Sequence, residues 1–444
     1  MDGPLSGIRI IDSTTMVAMP TALHLMGDMG AEVIKVDSHT LPRGEGGVFP
    51  EGRPGERYWD QDASFNALQR SKLGVTLNLR APQAVDLFKD LVQVSDVLVE
   101  NNRAGAMGRL GLGWEDLRKI KPDLIYLSNT GFGYTGPWRS YAGIGRMFEL
   151  TCGLSQFTGY PGEGPRRVGA AFFDLHVGWT AVFAIIAALE HRNRTGEGQW
   201  IDFSMYQIGV ATMGDAMLDF IANGRNGRPM GNSHPCYAPH GAYPCQGGDR
   251  WIAIGVESDQ QWKALVEVMG SPAWAQEEHF GDGLSRWKRR QELDDLLAEW
   301  TKSHDSQALM HRLQQAGVPA AAVMNARDEI SDPQFKERGF FEKVPHHSDT
   351  GIGARVYVGR PWKMSQTPSF IRRPAPMLGE HNEDIIIGLL GRTEDDVEEL
   401  YDLGVLGKEP ANQQPPGRGL PVEKQIEQGT MAGYDPGYRR LLGI

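Results

Sequence analysis

Five short apolar runs between Ile8 and Asn129, separated by stretches of helical period, constrain this chain more than any other feature. "IRIID" (Ile8 to Asp12), "EVIKVD" (Glu32 to Asp37), "GVTLNL" (Gly74 to Leu79), "DVLVEN" (Asp96 to Asn101) and "LIYLSN" (Leu124 to Asn129) read as buried strands. "TALHLMGDMG" and "PQAVDLFKDLVQVS" read as amphipathic helices among them. Parallel neighbours need a long crossover, usually a helix, so this alternation predicts an α/β fold whose mainly parallel sheet has helices on both faces.

The last of these runs leads into "SNTGFGYTGPW", where Gly131, Gly133 and Gly136 have the spacing G-x-G-x-x-G. A dinucleotide site needs its third glycine inside a helix and an acid about 20 residues further on, at the end of a second strand. Here Gly136 is followed by "PWRSY", and Glu149 falls in a helical-looking "RMFELTCGL". The first strand also lacks the glycine-rich turn of a nucleotide fold. A dinucleotide is therefore not expected. What remains is a set of glycines at a strand's carboxyl end, where backbone N–H groups can approach a ligand.

A second unusual stretch is "AAFFDLHVGW". Asp174 follows Phe172 and Phe173 and precedes "VGWTAVFAIIAAL" (Val177 to Leu189), 13 apolar residues that read as a buried helix too short to span a bilayer. Position alone favours Asp174 as that helix's N-cap. Partial removal of water by the aromatic neighbours would also make its carboxylate a better nucleophile, and the two roles can coexist. Asp202, alternating with Trp200 and Ser204 in "GQWIDFSMYQ", reads as a buried structural acid.

The polar, glycine-rich "NGRNGRPMGN" (Asn223 to Asn232) reads as a domain boundary. The expected division is a large domain from residues 1–222, a small one from 223–326, and a return from 327–444 that ends in an extended Pro/Gly-rich tail, "ANQQPPGRGLPVEK". A net charge of −11 argues against a nucleic-acid partner, and "RWKRR" (Arg286 to Arg290) reads as a solvated face. Cys152, Cys236 and Cys245 suit a reducing cytoplasm without disulfides. Cys236 and Cys245 near His234 and His240 match no zinc spacing, so no metal is expected. The opening residues lack a signal peptide's regions, so a cytoplasmic protein with no membrane association is expected.

Eight segments, in order, resemble the family III CoA-transferases, the group of formyl-CoA and carnitine CoA-transferases: "PLSGIRIIDSTTMVAMPTALHLMGDMGAEVIKVD", "QRSKLGVTLNL", "DVLVENNRAGAMGRLGLGWEDL", "LIYLSNTGFGYTGPW", "RTGEGQWIDFSM", "AGVPAAAV", "DPQFKERGFF" and "APMLGEHNEDII". The resemblance implies a Rossmann-like large domain built from both chain ends, a smaller inserted domain, and an interlocked homodimer, or a hetero-oligomer with a paralogue. It implies transfer of coenzyme A between an acyl-CoA and a carboxylic acid, with both as substrates and no permanently bound cofactor. Asp174 and Gly178 match the family's D-x-x-x-G, which makes Asp174 the implied nucleophile. The implied CoA contacts are Val17, Ala18, His39, Lys72, Asn101, Asn102 and Arg109, with Arg43 compensating for a histidine where the formyl-CoA enzyme has arginine. Gly131, Phe132 and Gly133, with Gly231, Asn232 and His234, are the implied oxyanion and covering loops. The family's racemases pair the aspartate with a histidine in "GHD"; this chain reads "GIG" (Gly143 to Gly145), which weighs against racemisation. A racemase or a non-catalytic partner subunit are the alternatives.

Overall fold

The computed structural model describes residues 3–43, 47–169, 171–413 and 420–444, so residues 414–419 of the expected tail lie outside the described part. These residues divide into two units. The first comprises 1–153, 168–214 and 333–444, and the second 154–167 and 215–332. The boundaries thus stand at 215 and 332 rather than 223 and 326. The glycine-rich stretch expected to separate the domains lies inside the second unit, because residues 154–167 pair with it. Gly231 N–H donates to the Gly159 carbonyl at 2.9 Å, and Gly227 leaves room for the Phe157 ring.

The first unit is built on six parallel strands: β1 (Arg9–Ser13), β2 (Glu32–Asp37), β3 (Lys72–Thr76), β4 (Val97–Glu100), β5 (Ile125–Thr130) and β6 (Gln199–Ser204). Their order, β3-β2-β1-β4-β5-β6, is that of a doubly wound nucleotide-binding sheet. The order reverses between β1 and β4, and sheets of this kind place ligands outside the carboxyl ends of the strands, at that switch. The helices as far as Ala211 are α1 (Ala18–Asp28), α2 (Ala63–Leu68), α3 (Pro82–Gln93), α4 (Ala106–Arg109), α5 (Trp114–Ile120), α6 (Gly145–Thr151), α7 (Leu154–Phe157, in the second unit), α8 (Phe172–Thr195) and α9 (Met205–Ala211).

One face of the sheet carries Ile11, Ile34, Val75, Leu98 and Tyr126. It packs against α3 and α5 and against Ile385, Ile386, Val397 and Leu400 from the returning chain end. That return is keyed into the edge strand: Thr76 N–H donates to the Asn382 side-chain oxygen at 2.9 Å, and Gly74 N–H to His381 Nδ1 at 3.1 Å.

Helices α1 and α8 pack against one another at a point where only glycine fits. A Cβ on Gly178 would collide with the Ala18 carbonyl and with Thr21 Cβ. Helix α8 differs from the 13-residue buried helix read in the sequence. It has 24 residues and closes at Gly196, whose φ of +77° suits glycine. By length and composition it could cross a membrane, yet it is a two-faced helix. Val177, Gly178, Ala181, Ile185 and Ala188 are buried, while Phe172, Trp179 and Phe183 on the other side are exposed.

In the second unit, antiparallel strands 240–244, 251–255 and 320–322 share a core with Tyr243, Ile252, Trp262, Leu265, Phe280 and Leu297. Arg286, read in the sequence as part of a solvated face, is 1% exposed. Its guanidinium donates to the Ala238 and Phe280 carbonyls and pairs with Asp259 at 2.6 Å, so it holds the unit together from inside.

Candidate active site and ligand cavity

Helix α8 begins at Phe172 with Ala171 as its N-cap residue, so Asp174 is not the cap. It stands in the first turn, where the positive end of the helix favours an anion. The aromatic frame is partial: Phe173 is buried against Gly209 and Cys152, while Phe172 is exposed and Asp174 half-buried. Asp174 lies against Gly145, the first residue of α6. A Cβ built there would fall on both oxygens of the Asp174 carboxylate. The residue that departs from the family's usual acid is therefore the one whose missing side chain makes space for the carboxylate.

The G-x-G-x-x-G loop does not form a phosphate cradle. Gly133 N–H donates to Thr130 Oγ1 at 2.9 Å, and Tyr134 N–H to the Asp202 carboxylate at 3.0 and 3.1 Å. With its N–H directed inward, Gly133 does not serve as the oxyanion donor that the resemblance implied. Gly131 and Gly143 both lie against the Phe148 ring, so their missing side chains let α6 pack on the loop. Phe132 sits among Trp138, Tyr141, Phe148 and Tyr206, with ring centroids 5.1 to 6.1 Å away.

Gly231, Asn232 and His234 form a turn in the second unit. Gly231 has φ +62° beside Tyr160, Asn232 Nδ2 donates to the Tyr160 hydroxyl at 3.2 Å, and His234 Nδ1 accepts from Cys236 N–H at 3.1 Å. Among the described residues no group of three His, Cys, Asp or Glu is placed to hold a metal ion.

A cavity of about 530 Å³ opens at the carboxyl ends of β1, β2 and β3, in the range of small-molecule sites. Of the sequence-derived contacts, Val17, Arg43 and Asn102 line it. Asn101 shapes it from behind: its side chain accepts from Thr15 N–H at 2.9 Å and donates to the Thr15 carbonyl at 2.8 Å, clamping the β1–α1 corner. Next along that corner, Met16 has φ +68°, an uncommon conformation for a side chain of that size. Ala18 is buried in α1, and Arg109 is exposed at the end of α4, outside the lining.

Two expected contacts are differently engaged. Lys72 is fully buried, and its ammonium bonds Asp12 at 2.7 Å and Gln69 Oε1 at 2.7 Å. Burial pulls its pKa down to about 8, against the pull of Asp12. It braces the cavity floor and is not a solvent-facing charge for a phosphate. His39 lies under Gly407, with Nδ1 buried and unpartnered, and burial lowers its pKa, so it brings no cation at neutral pH.

Arg43 pairs with Asp37 at 3.3 Å and with Asp60, donates to the Pro376 carbonyl at 2.7 Å, and lies over the Phe65 ring. Sequence reading missed Thr15, Asn78 and Arg80 in the lining. Their signal was positional, since each follows a strand's carboxyl end.

The CoA-transferase family III model matches residues 5–382. The succinyl-CoA–D-citramalate CoA-transferase of Chloroflexus aurantiacus is 35% identical over 396 residues, covering 89% of this chain and 96% of that protein. The succinate–glutarate CoA-transferase of Agrobacterium fabrum is 33% identical over 390 residues, covering 87% and 96%. A crystal structure of a CAIB/BAIF family protein from Brucella suis superposes with a TM-score of 0.79 at 31% identity, covering 88% of this chain and all of that one.

Proposed function

The chain belongs to CoA-transferase family III, and from that membership we propose that it moves CoA from an acyl-CoA to a free carboxylic acid through acyl links to Asp174. The observation that carries the assignment of Asp174 is its place in the first turn of α8, with its carboxylate packed against Gly145, where no side chain could stand.

The chemistry runs in four balanced displacements. A carboxylate oxygen of Asp174 attacks the donor thioester carbonyl, and the C–S bond breaks to give a mixed anhydride and CoA thiolate. The thiolate attacks the Asp174 acyl carbon, and the donor acid leaves as its carboxylate. The acceptor carboxylate attacks this aspartyl thioester, forming a second anhydride and expelling thiolate. Thiolate then takes the acceptor's acyl group and frees the Asp174 carboxylate. No net proton moves. A carboxylate nucleophile keeps each intermediate as activated as the thioester it replaces. Each tetrahedral oxyanion needs N–H donors, and the Gly131–Phe132 backbone is the proposed source.

Both relatives are named for a succinyl or succinate group and a dicarboxylic acid. Succinyl-CoA is accordingly the proposed donor and a dicarboxylic acid the acceptor, with CoA entering as a substrate. The exposed apolar side of α8, with Phe172, Leu175, Trp179, Phe183 and Ile186, supports a homodimer that covers it. We place the protein in the cytoplasm, where acyl-CoA and free acids meet.

The test is turnover by the pure protein given succinyl-CoA and a panel of dicarboxylic acids in heavy water. The reading expects succinate and a new acyl-CoA in equal amounts, with no deuterium at the acyl α-carbon. Exchange without transfer would establish the racemase alternative, and inactivity relieved only by a related chain would establish a partner subunit.

A further inference from the structure

Glu100 ends β4 with none of its surface exposed, and no step of the proposed chemistry uses it. Its carboxylate joins two segments that leave the paired strands β4 and β5. Oε2 accepts from Asn102 N–H at 2.7 Å, and Asn102 lines the cavity. Oε1 accepts from the Tyr134 hydroxyl at 3.0 Å, and Tyr134 belongs to the glycine loop after β5. Burial raises the Glu100 pKa, against the pull of the Asn102 N–H and of the Ser128 and Tyr134 hydroxyls. Burial, then Glu100, pushes the Tyr134 phenol up to about 12, so at neutral pH it keeps the proton it donates.

Glycine makes this loop adjustable. Gly133 and Gly136 have φ of +90° and +85°, and glycine leaves the backbone freer than any other residue. Tyr134, between them, is fixed at three points. Its N–H donates to the Asp202 carboxylate at 3.0 and 3.1 Å, its ring meets the Trp200 ring edge to face with centroids 5.1 Å apart, and its hydroxyl reaches Glu100. Trp200 is held in turn, because its Nε1 donates to Ser128 Oγ at 3.1 Å. On the other side of the loop, Phe132 packs on Phe148 of α6 with centroids 5.1 Å apart. Helix α6 sets Gly145 against the Asp174 carboxylate. An unbroken run of contacts thus leads from the cavity wall at Asn102, through Glu100 and Tyr134, to Phe132 and the helix beside Asp174.

Resting on the reading of the Gly131–Phe132 backbone as the source of oxyanion donors, we propose that Tyr134 is a positioning residue, which sets that backbone through the bond from its hydroxyl to Glu100. The Asp202 contact fixes only the main chain of Tyr134. The hydroxyl, at the far end of the side chain, fixes how the residue is turned, and with it the peptide planes that precede it. Oxyanion donors act by standing in place before the charge develops. A loop displaced by about 1 Å therefore loses rate without losing ligand.

Steady-state kinetics and amide hydrogen exchange on Tyr134→Phe, Glu100→Gln and the double variant test this. Tyr134→Phe keeps the ring against Trp200 and removes only the hydroxyl. The expected result is a kcat about 10- to 100-fold lower, with KM for the acyl-CoA and for the acid within about two-fold of the parent. The amides of Phe132 to Tyr134 should exchange faster than in the parent. Glu100→Gln should also lower kcat, and the double variant should fall no further than the larger single loss, since both changes break one tie. Additive losses would give Tyr134 a separate action on the reacting atoms and overturn the inference. So would a raised KM with kcat unchanged, or a lower melting temperature with kcat and loop exchange unchanged, which is the mark of a merely structural contact. Absence of CoA transfer by the parent would be a different result, removing the proposed function itself. The exchange measurement would then decide the tie alone, and equal exchange in parent and Tyr134→Phe would overturn it.

Discussion

A methyl group on Gly145 would occupy the position of the Asp174 carboxylate. Gly145 does not have a positive φ, so an alanine there is resisted by the carboxylate and not by the backbone. Gly145→Ala should displace Asp174 and lower kcat about 100-fold, the scale of loss when a reacting group is misplaced by about 1 Å. In an Asp174→Ala background the same substitution should cost no stability. A double-mutant cycle on melting temperature checks the contact and the kcat of Gly145→Ala alone checks the displacement; an additive cycle would place the two residues out of contact.

Gly178 gives a prediction of sign. In an ordinary helix, Gly→Ala stabilises by about 1 kcal/mol. At Gly178 the added methyl meets the Ala18 carbonyl and Thr21 across the α1–α8 contact. Gly178→Ala should instead destabilise by about 1–3 kcal/mol, measured by urea unfolding.

Lys72 and Asp12 form an ion pair in which neither side chain is exposed. Removing one partner leaves a buried charge, so Lys72→Met should cost about 3–5 kcal/mol of stability by chemical denaturation. Adding Asp12→Asn should recover part of that loss, because the orphaned charge goes with it. A cost within the range of exposed pairs would contradict the bracing role.

His24 lies inside α1, where burial and then Arg70, Lys72 and Arg360 hold its pKa well below the usual histidine range. Its unfolded counterpart titrates near 6.5. Below that pH the unfolded chain takes a proton that the native chain refuses, so stability present above about 6.5 is lost as pH falls toward the folded value. His24→Gln should flatten the fall in urea midpoint between about pH 7 and pH 5. The comparison between the two proteins isolates this group from Asp28, whose raised pKa acts in the opposite direction.

The sheet was legible because strands buried on both faces, such as β1 and β5, read as continuous apolar runs whatever surrounds them. The place of Asp174 beside the long helix and the opening at the strand ends were legible, but the state of the charges around them was not. Nothing in "QRSKLGV" distinguishes Lys72, enclosed with Asp12 sixty residues away, from a lysine in water. Arg80 reads as an ordinary turn cation until the cavity wall is assembled around it. The reach of α8 was underread because its last turns, with His191 and Arg192, are polar. Arg192 pairs there with Asp96 at 2.8 Å, a contact no local pattern reveals. The domain boundary was misplaced for the same reason, since residues 154–167 join the second unit through distant partners.

The central claim is that Asp174 carries the acyl group. The most direct measurement is to incubate the pure protein with succinyl-CoA, trap with hydroxylamine, and map the product by peptide mass spectrometry. The account predicts a hydroxamate on Asp174 that depends on succinyl-CoA and is absent from Asp174→Ala. Turnover between two acids with Asp174 unmodified, or a hydroxamate on another carboxylate, would contradict it.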